Sequence, residues 1–70
     1  MKISARNVIE ATVSKVEHGA VNSEVTVRTG HGAEIVSIIT KHSAERLGLK
    51  EGKKVYAIVK STDVLIATDD

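Results

Sequence analysis

The sequence predicts an all-β fold, and three observations support this class. Apolar and polar residues alternate with a period of two along several segments, which is typical of half-buried strands. The β-branched residues Val, Ile and Thr dominate these segments and favour strands over helices. Glycine-containing turns separate the segments, and a chain of 70 residues is short for a β-sandwich. We therefore predict a small five-stranded, OB-like Greek-key barrel with one short helix before the fourth strand.

The first two predicted strands form a hairpin. The first alternates cleanly over residues 7–13, and Val16 then falls out of phase. A slip of one residue in a long strand indicates a β-bulge near Ser14–Lys15. A turn at His18–Gly19 leads into the second strand, over residues 21–28.

The remaining elements are short. The strands at residues 35–40 and 55–59 are apolar on both faces, which indicates either a central position or burial against a partner subunit. Ser43 is suited to cap one or two helical turns, and Gly48 is suited to a left-handed stop. A last strand is predicted at residues 64–67.

The composition limits the size of the core. Seventy residues form one domain, expected to span residues 1–70. A chain this short buries only roughly 60% of the surface that it exposes when unfolded. It has no cysteine for a disulfide, no Phe or Trp, and a single Tyr. Oligomerisation is the remaining way to bury more apolar surface, so we expect a homo-oligomer.

The charge pattern excludes some partners. Ten Lys and Arg residues are interspersed with nine Asp and Glu residues, which gives a formal net charge of +1. Proteins that bind single-stranded nucleic acid use a basic groove and stacking aromatic rings, so no nucleic-acid partner is expected. No apolar run reaches the ~20 residues of a membrane span, and the start of the chain lacks the apolar segment of a signal peptide. Together with the absence of cysteine, this predicts a cytoplasmic protein with no membrane partner.

Two short segments carry hydrogen-bond donors suited to an anion. Ser4 and Arg6 precede the first strand, and Lys60 and Ser61 follow the fourth. Each segment joins a cation to a hydroxyl and contains no carboxylate. Asp63 lies near the second segment in the sequence, so this interpretation requires its carboxylate to point elsewhere. A site made only of donors favours a fully deprotonated, sulfate-like or molybdate-like dianion, because monoprotonated phosphate needs an acceptor. Taken alone, Ser4 and Arg6 are more simply interpreted as a solvated strand end, and it is the second segment that favours a site.

Other functions have weaker support. No spacing of Ser, His and Asp suggests a nucleophile with its base, so neither an enzyme nor catalytic residues are predicted. The histidines at positions 18, 31 and 42 lack metal-ligand spacing and are interpreted as surface residues, so no metal and no cofactor are expected. A structural or protein-interaction module is the alternative, because strands apolar on both faces would serve it.

Four ordered segments resemble the molbindins, the Mop family of free-standing molybdate-binding proteins (TOBE/Mop domains). The segments are Ser4–Asn7, Gly19–Val25, Ser37–Thr40 and Val59–Val64, and the similarity extends over essentially the whole chain. The resemblance implies cytoplasmic storage or homeostasis of molybdate or tungstate, held by hydrogen bonds and charge without catalysis. Related domains occur in molybdate-responsive regulators and in transporter ATPases.

The resemblance also implies an assembly and two kinds of binding site. Barrels of this family exchange strands within dimers, and three dimers form a hexamer with oxyanions bound at subunit interfaces. A second class of interface site is implied around residues 37–43, with Thr40 and Ser43 as candidates. The residues implied for the main site, some through their side chains and some through backbone N–H groups, are Ser4, Ala5, Arg6, Val21 with its neighbour Ala20, Lys60 and Ser61.

Overall fold

A computed structural model describes all residues from Met1 to Asp70. It contains four antiparallel strands in one curled sheet and one short helix, which confirms the all-β prediction. The helix is far too short to cross a membrane, and no other helix of the chain could do so. The elements are β1 (Asn7–His18), β2 (Asn22–Thr29), β3 (Glu34–Thr40), α1 (Lys41–Arg46), β4 (Lys54–Val59) and a 3₁₀ turn (Ser61–Asp63).

The strand order is β3-β2-β1-β4. Three consecutive strands joined by short connections, with the fourth returning beside the first, form a Greek key, as the sequence predicts. Within the single chain the sheet does not close into a barrel, because β3 and β4 lie at its two edges. The predicted fifth strand, at residues 64–67, pairs with no strand of the same chain.

The predicted bulge in β1 is present. The register between β1 and β2 pairs Val13 with Val27 and then Lys15 with Thr26, so one residue of β1 has no partner. That residue is Ser14, whose hydroxyl donates to the carbonyl oxygen of Thr26 at 3.2 Å. The bulge returns Val16 to the inner face of the sheet, where it packs against the core.

The core is small and lies on the inner face of the central strands. Only 6 of the 70 residues are buried, in agreement with the marginal core expected from the chain length. The central cluster consists of Ala11 and Val13 from β1 with Val25 and Val27 from β2. Half-buried apolar residues surround it, namely Val16, Ile35, Ile39, Leu49, Val55 and Ala57.

The helix begins three residues earlier than predicted. Its N-cap is Thr40, the last residue of β3, and not Ser43. Thr40 keeps an extended backbone, so its hydroxyl is free to accept the backbone N–H of Ser43 at 3.1 Å. Gly48 has a positive φ of 63° directly after the helix, as predicted for a left-handed stop.

The strands that are apolar on both faces are the edges of the sheet, so the suggestion of a central position was wrong. On β3, Val36 and Ile38 face outwards and are exposed. Tyr56 and Ile58 are exposed in the same way on β4. A second apolar face on an edge strand has no partner within the chain, and burial against a partner subunit, the other expectation from the sequence, stays a prediction.

Candidate functional site

The two predicted donor segments lie at the same end of the sheet. Asn7 of β1 is paired with Val59 of β4. Arg6 directly precedes Asn7, and Lys60 directly follows Val59, so both cations lie at the same end of the paired strands β1 and β4. The sequence could not establish this proximity, because 53 residues separate the two segments (numbers 7 to 59, inclusive). The residues gathered there, here called the donor cluster, are Ser4, Ala5, Arg6, Lys60 and Ser61.

The polar side chains of the donor cluster have no partner within the chain. All four are exposed, and none forms a side-chain hydrogen bond or an ion pair. This differs from Arg28, whose guanidinium donates to the Glu34 carboxylate at 2.9 Å. Cations without a carboxylate beside them keep a positive potential, and hydroxyls without a partner can still donate. The cluster is therefore able to receive an anion without breaking an internal contact.

A second set of free donors lies in the loop between β1 and β2, here called the hairpin loop (Gly19–Val21). The backbone N–H groups of Ala20 and Val21 donate to no acceptor within the chain. The loop is restrained at two points, because the N–H of Gly19 donates to Asn22 O at 2.7 Å and Val21 O accepts the N–H of Lys41 at 2.7 Å. Two free N–H groups on a restrained loop can bind an oxyanion.

A single chain cannot bring both sets of donors to one anion. The donor cluster precedes β1, and the hairpin loop follows it. At about 3.3 Å per residue, a strand as long as β1 separates its ends by up to roughly 35 Å. The longest dimension of the molecule is 40 Å, which fits this separation. Val21 therefore does not join the other residues predicted for the main site within one copy.

The candidates for the second site lie beside the hairpin loop. Thr40 is paired with Asn22, and the residue after Thr40 bonds to Val21 O. The hydroxyls of Thr40 and Ser43 are 2.8 Å apart and are hydrogen-bonded to each other. The Thr40 hydroxyl also caps α1, a role that the sequence-based interpretation gave to Ser43.

One side-chain pair near the hairpin loop was not predicted. His18 Nδ1 lies 2.6 Å from the hydroxyl oxygen of Ser23, although the sequence suggested only a surface histidine of a turn. A signal was available, because Ser23 occupies an inner-face position of β2 in phase with the valines at 25 and 27. A polar residue on the apolar face of a strand requires a hydrogen-bond partner nearby.

An apolar groove opens between the two edge strands. Its volume is about 310 Å³, and 13 of its 14 lining residues are hydrophobic. Its walls come from β3, from β4 and from the segment after α1, where Leu47 and Leu49 lie. An open apolar groove costs free energy in water unless another apolar segment fills it.

Comparison with known proteins identifies the family. "Molybdenum-pterin-binding protein 2" of Clostridium pasteurianum is 47% identical over 66 residues, which cover 94% of this chain and 97% of that protein. The structure of MopII from Clostridium pasteurianum superposes with a TM-score of 0.91 at 45% identity, covering 96% of this chain and all of the other. A molybdate-binding protein from Sporomusa ovata gives a TM-score of 0.90 at 40% identity, covering 97% and 100% of the two chains. The TOBE domain matches residues 3–66, and the chain belongs to the TOBE domain family.

Proposed function

We propose that this protein binds molybdate or tungstate and buffers its concentration in the cytoplasm, as a binding protein and not as an enzyme. The observation that carries the proposal is the donor cluster, in which two cations and two hydroxyls lie at one end of the sheet without partners. Such a set favours a dianion that carries no proton. The relatives support the choice of molybdate, because one is named a molybdenum-pterin-binding protein and another a molybdate-binding protein.

The main site is proposed to form between two copies of the chain. Arg6 and Lys60 of one copy supply positive charge, and the hydroxyls of Ser4 and Ser61 supply further hydrogen bonds. The backbone N–H groups of Ala5 in that copy, and of Ala20 and Val21 in the other copy, complete the shell. The support is the position of the two donor sets at opposite ends of β1. Donors from both ends of β1 can contact the same oxyanion only if more than one copy of the chain contributes to the site.

The assembly is proposed to be a hexamer built from three strand-exchanged dimers. Its support is the segment after the 3₁₀ turn, here called the tail (Val64–Asp70), in which Leu65 is 92% and Ile66 is 86% exposed. The tail carries the strand pattern that has no partner in its own chain, and the apolar groove between β3 and β4 is open. Insertion of the tail of a second copy would add a fifth strand and cover both apolar surfaces.

A second oxyanion site is proposed at Thr40 and Ser43. The two hydroxyls lie close to the free N–H groups of the hairpin loop. Because they already bond to each other and to the helix terminus, a ligand there has fewer free donors than at the donor cluster. We expect this site to be the weaker of the two.

The proposal is tested by calorimetric titration with molybdate, tungstate, sulfate and phosphate. Arg6→Ala should weaken molybdate binding at least about tenfold, since a hydrogen bond to a charged group contributes roughly 1.5–3 kcal/mol. Arg28→Ala is the matched control, because it removes the same charge from an exposed pair of small energetic value. Lys60→Ala is paired in the same way with Lys50→Ala in an exposed turn.

The outcome that contradicts the proposal is a wild-type protein that gives no heat with molybdate, or that binds sulfate equally well. The alternative function, a protein-interaction module, is favoured by the exposed apolar residues of β3 and β4. Sedimentation separates the assembly claims, because a stable monomer that binds no oxyanion would support only the alternative.

A further inference from the structure

Ser23 is a buried hydroxyl with a single partner. It is 1% exposed, on the inner face of β2, and its oxygen lies 2.6 Å from His18 Nδ1. No other hydrogen bond reaches this hydroxyl within the chain. A buried hydroxyl needs a hydrogen-bond partner, and Nδ1 of the His18 imidazole supplies one.

The pair lies directly next to the hairpin loop. His18 and Ser23 are the last residues paired in register between β1 and β2. The buried core cluster ends at Val25 on β2, and beyond it the packing is only half-buried, from Val16 and from Ile39, the register partner of Ser23. The His18–Ser23 bond adds a polar contact at this end of the hairpin. The ends of paired strands open easily unless a side-chain contact holds them.

The connection between the paired residues has few other restraints. One is the bond from the Gly19 N–H to Asn22 O, and another is the bond from the Lys41 N–H to Val21 O. The second restraint attaches the loop to the start of α1, while the His18–Ser23 bond attaches its base to the sheet. The N–H groups of Ala20 and Val21, between these attachments, remain free.

We propose that His18 is a positioning residue for oxyanion binding, which it assists by holding the hairpin loop through Ser23. With the pair formed, the N–H groups of Ala20 and Val21 are fixed where the donor cluster of a second copy presents the anion. Without it, the loop must be ordered when the ligand binds, and affinity falls by that cost. This inference rests on the proposed oxyanion binding and assigns a role to a residue that does not touch the ligand.

The test uses two variants of nearly the same shape. Asn in place of His18 puts a carbonyl oxygen near the position of Nδ1 and can accept the Ser23 hydroxyl, whereas Leu cannot. We expect His18→Leu to weaken molybdate binding about five- to tenfold, the equivalent of one hydrogen bond, and His18→Asn to stay within about twofold of wild type. Ser23→Ala should match His18→Leu, and combining the two changes should add little further loss.

A measurement without ligand keeps the inference separate from the proposed function. Amide hydrogen exchange should be faster at Gly19 and Lys41, whose N–H groups bond to Asn22 O and Val21 O, in His18→Leu than in wild type or His18→Asn. Exchange in the core of β1 should be unchanged. Equal exchange in all three proteins would overturn the positioning role, whether or not molybdate binds. Equal molybdate affinity of the Leu and Asn variants would overturn it as well. A wild type that binds no molybdate, but shows the expected exchange pattern, would contradict the proposed function and leave the loop restraint in place.

Discussion

Gly19 is a single residue on which the geometry of the hairpin loop depends. A Cβ built at this position would lie 2.9 Å from the carbonyl oxygen of Asn22, closer than real Cβ atoms approach backbone. The close approach arises because Gly19 donates its N–H to that same oxygen. Any side chain here must displace the backbone that carries the two free N–H groups.

We therefore predict that Gly19→Ala lowers the free energy of unfolding by about 1–3 kcal/mol, as overpacking usually does, and also weakens molybdate binding. Gly30→Ala is the control, because a Cβ at Gly30 meets nothing within 4 Å. Denaturant unfolding at a fixed protein concentration measures the first effect, and calorimetry measures the second. If the two variants are equally stable and bind equally well, the loop does not depend on Gly19.

Local hydrogen-bond roles were the least predictable feature at the residue scale. Both Thr40 and Ser43 can cap a helix, and the sequence alone favoured Ser43. Thr40 acts as the cap because β3 continues directly into α1, so the last residue of the strand is also the N-cap of the helix. The pairing of His18 with Ser23 likewise depends on a strand register that residue types do not encode locally.

At the scale of elements, the periodicity of the sequence predicted features that are determined within a single strand. The bulge at Ser14 could be predicted because one residue out of phase must be absorbed within β1 itself. The edge positions of β3 and β4 could not be predicted from the same signal. A strand buried on both faces inside a sheet and an edge strand buried by a partner have the same apolar pattern.

The tail gives a test at this scale. In a single chain Leu65 is exposed, so Leu65→Asn should leave the stability of an isolated chain unchanged. If the tail fills the groove of a second copy, the same change removes about 2–3 kcal/mol of apolar burial per chain and shifts the assembly towards smaller species. Sedimentation velocity over a dilution series measures this shift.

Thr68→Asn serves as the control for the tail, because it alters an exposed polar residue a few positions further along. Equal sedimentation of the two variants and the wild type would contradict insertion of the tail. Loss of assembly in Leu65→Asn together with loss of molybdate binding would tie the main site to the subunit interface.

At the scale of the whole molecule, the types of hydrogen-bond donor can be identified from the sequence, whereas the separation of the two donor sets depends on the strand topology. Residue types were sufficient to predict a donor-only anion site, since each of the two segments joins a cation, Arg6 or Lys60, to a serine hydroxyl and contains no carboxylate. The proposal that two chains form each main site rests on the length of β1 and on the position of the hairpin loop at its far end. Periodicity predicts a strand, but the relation between its two ends in an assembly depends on how copies pack.

The separation of the two donor sets allows a complementation experiment. Arg6→Ala damages the donor cluster and Gly19→Ala damages the hairpin loop, so each variant alone should bind molybdate poorly. If every site takes its cluster from one copy and its loop from another, random co-assembly of equal amounts restores intact donors in about a quarter of the main sites. Titration of the co-refolded mixture should recover that fraction at wild-type affinity.

Arg6→Ala mixed with Lys60→Ala is the control, because both changes lie in the same cluster and the mixture should recover no sites of wild-type affinity. No recovery in the first mixture would contradict a site that takes its cluster and its loop from separate copies. Recovery in the control would contradict a cluster that takes Arg6 and Lys60 from one copy.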